Sequence, residues 1–127
     1  MAVERRKGRT ARGDRGQAAV EFIGMLPLLV LLGLALVQIG LAAYTVEQAG
    51  TGARAAARAA SRPGSAGCRT VGGAAMSGWI AKRAEVVCRA RPGEVTATVT
   101  VRIPSIIVFD LGSTTKSVTM PVDTARP

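Results

Sequence analysis

The first half of the chain is dominated by one long apolar stretch. Between residues 22 and 43 no side chain is charged, and Gln38 is the only strongly polar one. About 20 apolar residues at about 1.5 Å each span a hydrocarbon layer of about 30 Å. Because an α-helix satisfies its own backbone hydrogen bonds in lipid, even Pro27 is tolerated there. The pattern therefore predicts one transmembrane helix over residues 18–44.

The helical pattern continues beyond the apolar stretch. An alanine-rich segment covers residues 53–60, while Gly50 and Gly52 each weaken a helix by up to about 1 kcal/mol. The sequence leaves open whether the helix is continuous there. We expect it to end at residues 62–64, where a proline and a glycine occur together, and a loop to follow over residues 63–67.

A second helix is predicted after this loop. Four apolar side chains recur there at three- and four-residue spacing: Met76, Trp79, Ile80 and Ala84. Because this spacing places them on one face of a helix, we expect a helix over residues 72–84. Trp79 is the largest of the four, and we expect it to anchor the core of a small domain.

Three strands are predicted in the remainder of the chain. They cover residues 85–90, 95–103 and 117–122, and the middle one alternates between aliphatic residues and threonines. This period of two is typical of a half-buried strand. Pro121 marks the last one as an edge strand, because proline cannot donate to a strand ladder. The apolar residues 106–109 either cover the core or face the membrane or a partner.

Together these elements define an α+β fold. We expect a long N-terminal transmembrane helix followed by a small extracytoplasmic domain with a second helix and a three-stranded antiparallel sheet. The divisions are a basic cytoplasmic leader at residues 1–16, the transmembrane helix with its extracytoplasmic extension at residues 17–61, and the α+β domain at residues 62–127. A chain of 127 residues has room for no more than this.

The distribution of charge gives the chain an orientation. The formal net charge is +9, and six of the 17 basic residues lie ahead of the apolar stretch, within residues 1–16. Basic residues favour the cytoplasmic flank of a transmembrane helix, so the N-terminus is expected inside and the domain outside. The other basic residues are scattered without aromatic residues between them. We therefore expect no nucleic-acid partner.

The two cysteines, Cys68 and Cys88, both fall on the predicted outer side, where paired cysteines tend to oxidise. A disulfide closing a loop of this size would contribute about 3 kcal/mol in the chain-entropy model, a large share for a small domain. Two unrelated thiols are the alternative. The sequence contains no histidine, no serine with an oriented partner and no paired carboxylates. We therefore expect no catalytic residue, no metal site and no cofactor, so the chain is not expected to be an enzyme.

The most specific pattern lies where the basic leader meets the apolar stretch. Arg15-Gly16-Gln17-Ala18-Ala19-Val20-Glu21-Phe22 places a lone carboxylate five residues after a small residue. A carboxylate at a membrane margin costs free energy unless it is paired, which makes Glu21 a candidate functional residue. The simpler interpretation is that Glu21 only marks the membrane surface.

This arrangement resembles the type III signal sequence of type IV pilin-like proteins. With the Leu-Pro pair that follows, it looks most like the TadE-like pseudopilins of tight-adherence (Flp) pilus systems, over residues 13–60. The resemblance implies that a prepilin peptidase cuts after Gly16 and that Gln17 becomes the mature N-terminus. It also implies that Glu21 pairs with the free amine of the same or a neighbouring subunit, with Phe22 beside it in the pairing segment.

Two residues depart from the pattern of pilins. Phe22 stands where Flp pilins usually have tyrosine, and Gln17 is not the common N-methylated phenylalanine. Major Flp pilins have only a short tail after the helix, whereas this chain carries about 80 residues more. Its length therefore favours the minor pseudopilin branch.

The function implied is that of a non-catalytic pseudopilin at the cell membrane that acts in pilus assembly. Its partners would be the membrane, the prepilin peptidase, other pilin subunits and the pilus assembly machinery. The alternative is a single-pass membrane protein whose outer domain binds an envelope partner, unrelated to pili. A third possibility is a secreted basic domain released by signal peptidase near Ala43.

Overall fold

The computed structural model of the protein describes residues 12–62 and 67–122. The chain divides into two compact units, Met1–Ala35 and Leu36–Pro127, and one 50-residue helix, α1 (Arg12–Ser61), contributes to both. The other elements are α2 (Cys68–Ala74), α3 (Gly78–Ala81), β1 (Ala84–Arg91), β2 (Glu94–Arg102) and β3 (Ser113–Pro121). This confirms the α+β class, with a long apolar N-terminal helix and a three-stranded antiparallel sheet.

In the first unit, the described residues 12–35 are all helical. Large apolar side chains are exposed around this part of α1; Phe22 and Leu28, for example, are 62% and 63% exposed. A helix that is apolar on all sides needs an apolar environment. Among the described residues, α1 is the one helix long and apolar enough to cross a membrane.

In the second unit, α1 forms one wall of a small core. It runs without interruption through Gly50 and Gly52, which the sequence left open, and ends at Ser61 as predicted. Residues three and four apart lie on the same side of a helix, so small residues at this spacing form a stripe. Four alanines in the stripe have no exposed surface: Ala49, Ala53, Ala56 and Ala57.

The sheet supplies the other half of the core and packs against this stripe of alanines. The strand order is β1-β2-β3 with both pairs antiparallel, so β3 lies at an edge as Pro121 predicts. The inward side chains of the central strand β2 are all buried: Val95, Ala97, Val99 and Val101. On the outward face, hydroxyl groups of β2 and β3 pair across the strands at 2.9–3.2 Å: Thr96 with Thr119, Thr98 with Ser117, and Thr100 with Thr115.

The region between α1 and the sheet differs from the sequence prediction. One helix over residues 72–84 was expected, but the structure has the two short helices α2 and α3, separated by residues 75–77. Gly67, ahead of α2, has φ of 99°, a left-handed conformation that favours glycine. The expected single helix would contain three glycines, which are poor helix formers. The loop expected at residues 63–67 lies, apart from Gly67, outside the described residues.

The expected role of Trp79 as core anchor was wrong. Trp79 is 45% exposed and stacks on Tyr44, with ring centroids 5.8 Å apart, whereas its neighbour Ile80 is fully buried. Adjacent residues of a helix point in different directions. The four-residue helix α3 therefore directs only one of these two side chains inward. Met76 is also buried, as its position in the helical pattern predicts.

Cys68 and Cys88 form a disulfide, with their Cα atoms 6.7 Å apart. The bond joins the first residue of α2 to the middle of β1. Both cysteines pack against the core cluster. The disulfide therefore links the short helices covalently to the sheet.

Candidate functional site

The predicted cleavage position lies near the beginning of α1. Gly16 and Gln17 are both exposed, and a Cβ atom placed on Gly16 would meet nothing within 4 Å. Because α1 begins at Arg12, the bond between residues 16 and 17 is in helical conformation with about one turn ahead of it. The first turn of a helix has unsatisfied amide groups and frays at little cost. The site is accessible, and a peptidase would need to open only the first two turns of α1.

The predicted pairing residues follow directly on the same helix. Glu21 is exposed and lies four residues after Gln17, which places the two on the same side of α1. Phe22 is 62% exposed beside it. The structure thus leaves both side chains available to another molecule, and their predicted pairing role stays a prediction.

The one polar side chain of the apolar stretch has a partner that local sequence could not reveal. Gln38 is only 5% exposed. Its Nε2 group donates a hydrogen bond to the carbonyl of Pro104 at 2.8 Å, and its Oε1 atom accepts one from the Ile106 amide at 2.9 Å. These partners are 66 and 68 residues away in sequence. Gln38 therefore holds the connection between β2 and β3 against α1.

A second group of polar contacts joins α1 to the connection between α2 and α3. The hydroxyl groups of Tyr44 and Ser77 are hydrogen-bonded, and Gln48 Oε1 accepts a hydrogen bond from the Ser77 amide at 2.8 Å. Tyr44 follows directly on the apolar stretch and is 39% exposed. The structure adds that this ring stacks on Trp79.

These features define a class of proteins with one N-terminal helix able to span a membrane and a small α+β domain after it. No cluster of three or more His, Cys, Asp or Glu that could hold a metal occurs among the described residues. The family model described as TadE-like protein matches residues 16–58. The match begins at Gly16, contains Glu21 and confirms the resemblance seen in the sequence. No curated protein and no solved structure matches the chain.

Proposed function

We propose that this chain is a non-catalytic pseudopilin of the TadE-like type that acts in the assembly of tight-adherence (Flp) pili. The observation that carries the proposal is the family match over residues 16–58, which begins at the candidate cleavage site and extends along α1. In this proposal the N-terminus is cytoplasmic, α1 crosses the cell membrane and the α+β domain lies outside. Its partners are a prepilin peptidase, other pilin subunits and the assembly machinery.

Processing is the first step of the proposed mechanism. The basic residues of the leader hold it at the cytoplasmic face of the membrane. Fraying of the first two turns of α1 then presents the bond between Gly16 and Gln17 to a prepilin peptidase. Glycine assists because it is among the weakest helix formers. The apolar helix remains on the mature chain and keeps it in the membrane.

Cleavage then creates the partner for the carboxylate. The new α-amine belongs to Gln17, one helical turn from Glu21. Two opposite charges at a membrane margin cost less free energy together than either one alone. The amine of the same or a neighbouring subunit would therefore neutralise Glu21 and fix the position of the helix during assembly.

The exposed apolar surface of α1 supports lateral packing with other helices. Cβ atoms placed on Gly33 and Gly40 would meet nothing within 4 Å, so the backbone is open at both positions. Small residues let transmembrane helices approach one another closely. Packing at these glycines would bring subunits together after processing.

The contacts of Gln38 support retention of the whole helix. A secreted domain that began near Ala43 would lack Gln38, and the Pro104 carbonyl and Ile106 amide would lose their partner. Because water would replace Gln38, each of these hydrogen bonds is worth about 0.5–1.5 kcal/mol net. The domain therefore keeps both hydrogen bonds only with residues 36–43 attached, which favours the pseudopilin over the secreted form.

The proposed cleavage is tested with Gly16→Leu. A bulky side chain at the cut position should leave the leader attached, seen as a full-length band when membranes of the host are immunoblotted. Gly24→Leu is the matched control, since Gly24 is also an open glycine of α1 and lies beyond the cleavage site. Removal of the leader from the Gly16→Leu chain at the wild-type rate would contradict the proposal.

The proposed pairing is tested with Glu21→Ala. This chain should be processed normally, because the cut lies five residues earlier, but it should co-purify with pilin subunits at least about tenfold less, the equivalent of about 1.4 kcal/mol. Glu47→Ala is the control, because Glu47 is another exposed glutamate of α1, outside the apolar stretch. Normal assembly of the Glu21→Ala chain would show that the carboxylate has no pairing role.

A further inference from the structure

We infer that the loop between β2 and β3, residues 103–112, is a second membrane contact, which enters the outer margin of the bilayer that α1 crosses. The inference rests on the membrane placement of α1 in the proposed function. It adds a lipid-binding surface on the α+β domain itself.

The loop displays an unusual amount of apolar surface. Val108 is 100% exposed and Phe109 is 75% exposed, while Ile106 and Leu111 are close to half exposed. Burying such side chains is favourable relative to leaving them in water. Contiguous apolar patches of this kind mark membrane or partner contacts.

Hydrogen bonds within the loop maintain the conformation that exposes these apolar side chains. The Ser105 hydroxyl donates to the carbonyls of Ile107 and Phe109, the latter at 2.7 Å. At the other end, the Gly112 amide donates to Asp110 Oδ1 at 2.8 Å and the Gly112 carbonyl accepts from the Ile103 amide at 3.0 Å. These hydrogen bonds satisfy some of the polar groups of the loop internally, whereas the exposed carboxylate of Asp110 opposes deep entry, so the contact is expected at the margin of the bilayer.

Gln38 fixes the level of the loop relative to the membrane. By residue count, a span of about 20 residues that begins between Ala18 and Glu21 ends between residues 37 and 40. Gln38 therefore falls at the outer margin of the hydrocarbon. Its side chain holds the backbone at Pro104 and Ile106, so the apolar loop lies at that same margin.

An aromatic pair follows farther along α1. Tyr44 lies six residues after Gln38, about 9 Å along the helix axis. It stacks on Trp79, and both rings are partly exposed, at 39% and 45%. Tyrosine and tryptophan are enriched at the level of lipid headgroups. The order of an apolar loop followed by an aromatic pair thus fits the transition from hydrocarbon to headgroups.

Cationic side chains complete the surface next to the loop. Lys82, Arg83 and Arg102 are exposed and line one open groove of about 340 Å³, where the Arg102 amide donates to the Arg83 carbonyl at 3.2 Å. Glu85 and Asp110 line the neighbouring groove. Basic side chains near a membrane surface are attracted to anionic lipids. A phospholipid bilayer is the occupant that offers partners to all three kinds of group, the apolar, the aromatic and the cationic.

The test uses tryptophan as a depth probe in the full chain, reconstituted in vesicles that contain phosphatidylglycerol. Trp79 is the only tryptophan of the sequence, so Trp79→Phe provides a background without one. Phe109→Trp in this background reports on the loop. Arg91→Trp reports on the opposite end of the sheet, where β1 turns into β2, and is the matched control. Emission is compared with and without bromine on the lipid acyl chains.

We expect acyl-chain bromine to reduce the emission of Phe109→Trp at least about twofold, because interfacial segments bury apolar groups about 5–10 Å deep. Arg91→Trp should stay unquenched, and native Trp79 should lie between the two. Adding Arg102→Glu to the Phe109→Trp chain should weaken the quenching, whereas Arg89→Glu, a reversal of an exposed arginine in the middle of β1, should not.

The outcomes separate this inference from the proposed function. A chain that starts at Gln17 and resists carbonate extraction, yet shows no more quenching at Phe109→Trp than at Arg91→Trp, overturns the loop contact alone. Blue-shifted, unquenched emission that appears only at high protein-to-lipid ratio would assign the loop to a second copy of the chain and also overturn the inference. Quenching at Phe109→Trp in a chain that keeps its leader supports the loop contact and contradicts the pseudopilin.

Discussion

The contact between α1 and α2 depends on the absence of two side chains. A Cβ atom on Gly72 would lie 2.9 Å from the Ala56 Cβ and 3.2 Å from Val86 Cγ1. A Cβ atom on Gly52 would lie 2.9 Å from Met76 Sδ and 3.1 Å from the Gly72 carbonyl. Real Cβ atoms essentially never come within 3.0 Å of another atom, so the glycines allow the two backbones to meet. Glycine therefore has a packing role here, which offsets its low helix propensity.

We predict that Gly72→Ala lowers the free energy of unfolding by about 1–3 kcal/mol, because Ala56 and Val86 are short side chains that cannot swing away. The measurement is chemical unfolding of the full chain in detergent micelles, followed by Trp79 fluorescence. Gly73→Ala is the control, since nothing lies within 4 Å of the added atom. That change should be neutral or stabilise α2 by up to about 1 kcal/mol. Equal stability of the two variants would contradict the proposed packing.

Single residues also show which contacts and burial local sequence patterns do not predict. The helical spacing correctly identified Met76 and Ile80 as buried, but it also placed Trp79 in the core. Burial of Trp79 depends on how a four-residue helix turns against the sheet and on Tyr44, a partner 35 residues earlier. Gln38 was recognisable as the one polar residue of the apolar stretch. Its partners in the loop after β2 could not be predicted, because no local pattern encodes a contact across 66 residues.

Among the elements, strands were predicted more closely than short helices. The alternation of buried and partly exposed residues in β2 follows from the two faces of a pleated strand, so the sequence shows it directly. β3 begins at Ser113, four residues earlier than predicted, because polar residues of an edge strand show little alternation. α2 and α3 are too short to be stable alone and form where the core and the disulfide hold them. Their bounds therefore could not be inferred from local preference.

The disulfide is expected to stabilise the elements that it joins. Replacing both cysteines, as Cys68→Ala with Cys88→Ala, should lower the free energy of unfolding by about 3 kcal/mol, the value for closing a loop of about 20 residues in the chain-entropy model. The measurement is thermal unfolding followed by Trp79 fluorescence, with and without reductant. Reductant should lower the melting temperature of the wild-type chain and leave that of the double variant unchanged. An unchanged melting temperature of the reduced wild-type chain would contradict a stabilising role for this bond.

At the scale of the whole molecule, the two parts of α1 suit two different environments. Residues 22–37 of α1 are mostly exposed and apolar, whereas four alanines after residue 48 are buried against the domain: Ala49, Ala53, Ala56 and Ala57. The sequence alone predicted the first environment from composition and the second only as a helix with unknown partners. The α+β class followed from the order of the patterns, and the resemblance to TadE-like proteins followed from the string around Gly16 and Glu21. The contacts of Gln38 with the loop after β2, on which the inferred membrane contact rests, became visible only in the structure.

In the proposed function, a prepilin peptidase converts this chain into a membrane-held subunit. The most direct measurement is the N-terminal sequence of the mature protein, purified from the membranes of its own host. If the peptidase cuts after Gly16, we expect a first residue of Gln17 in a chain that remains in the membrane fraction. An intact Met1 would contradict processing and leave a single-pass membrane protein, and a start near Ala43 would contradict the membrane-held subunit altogether.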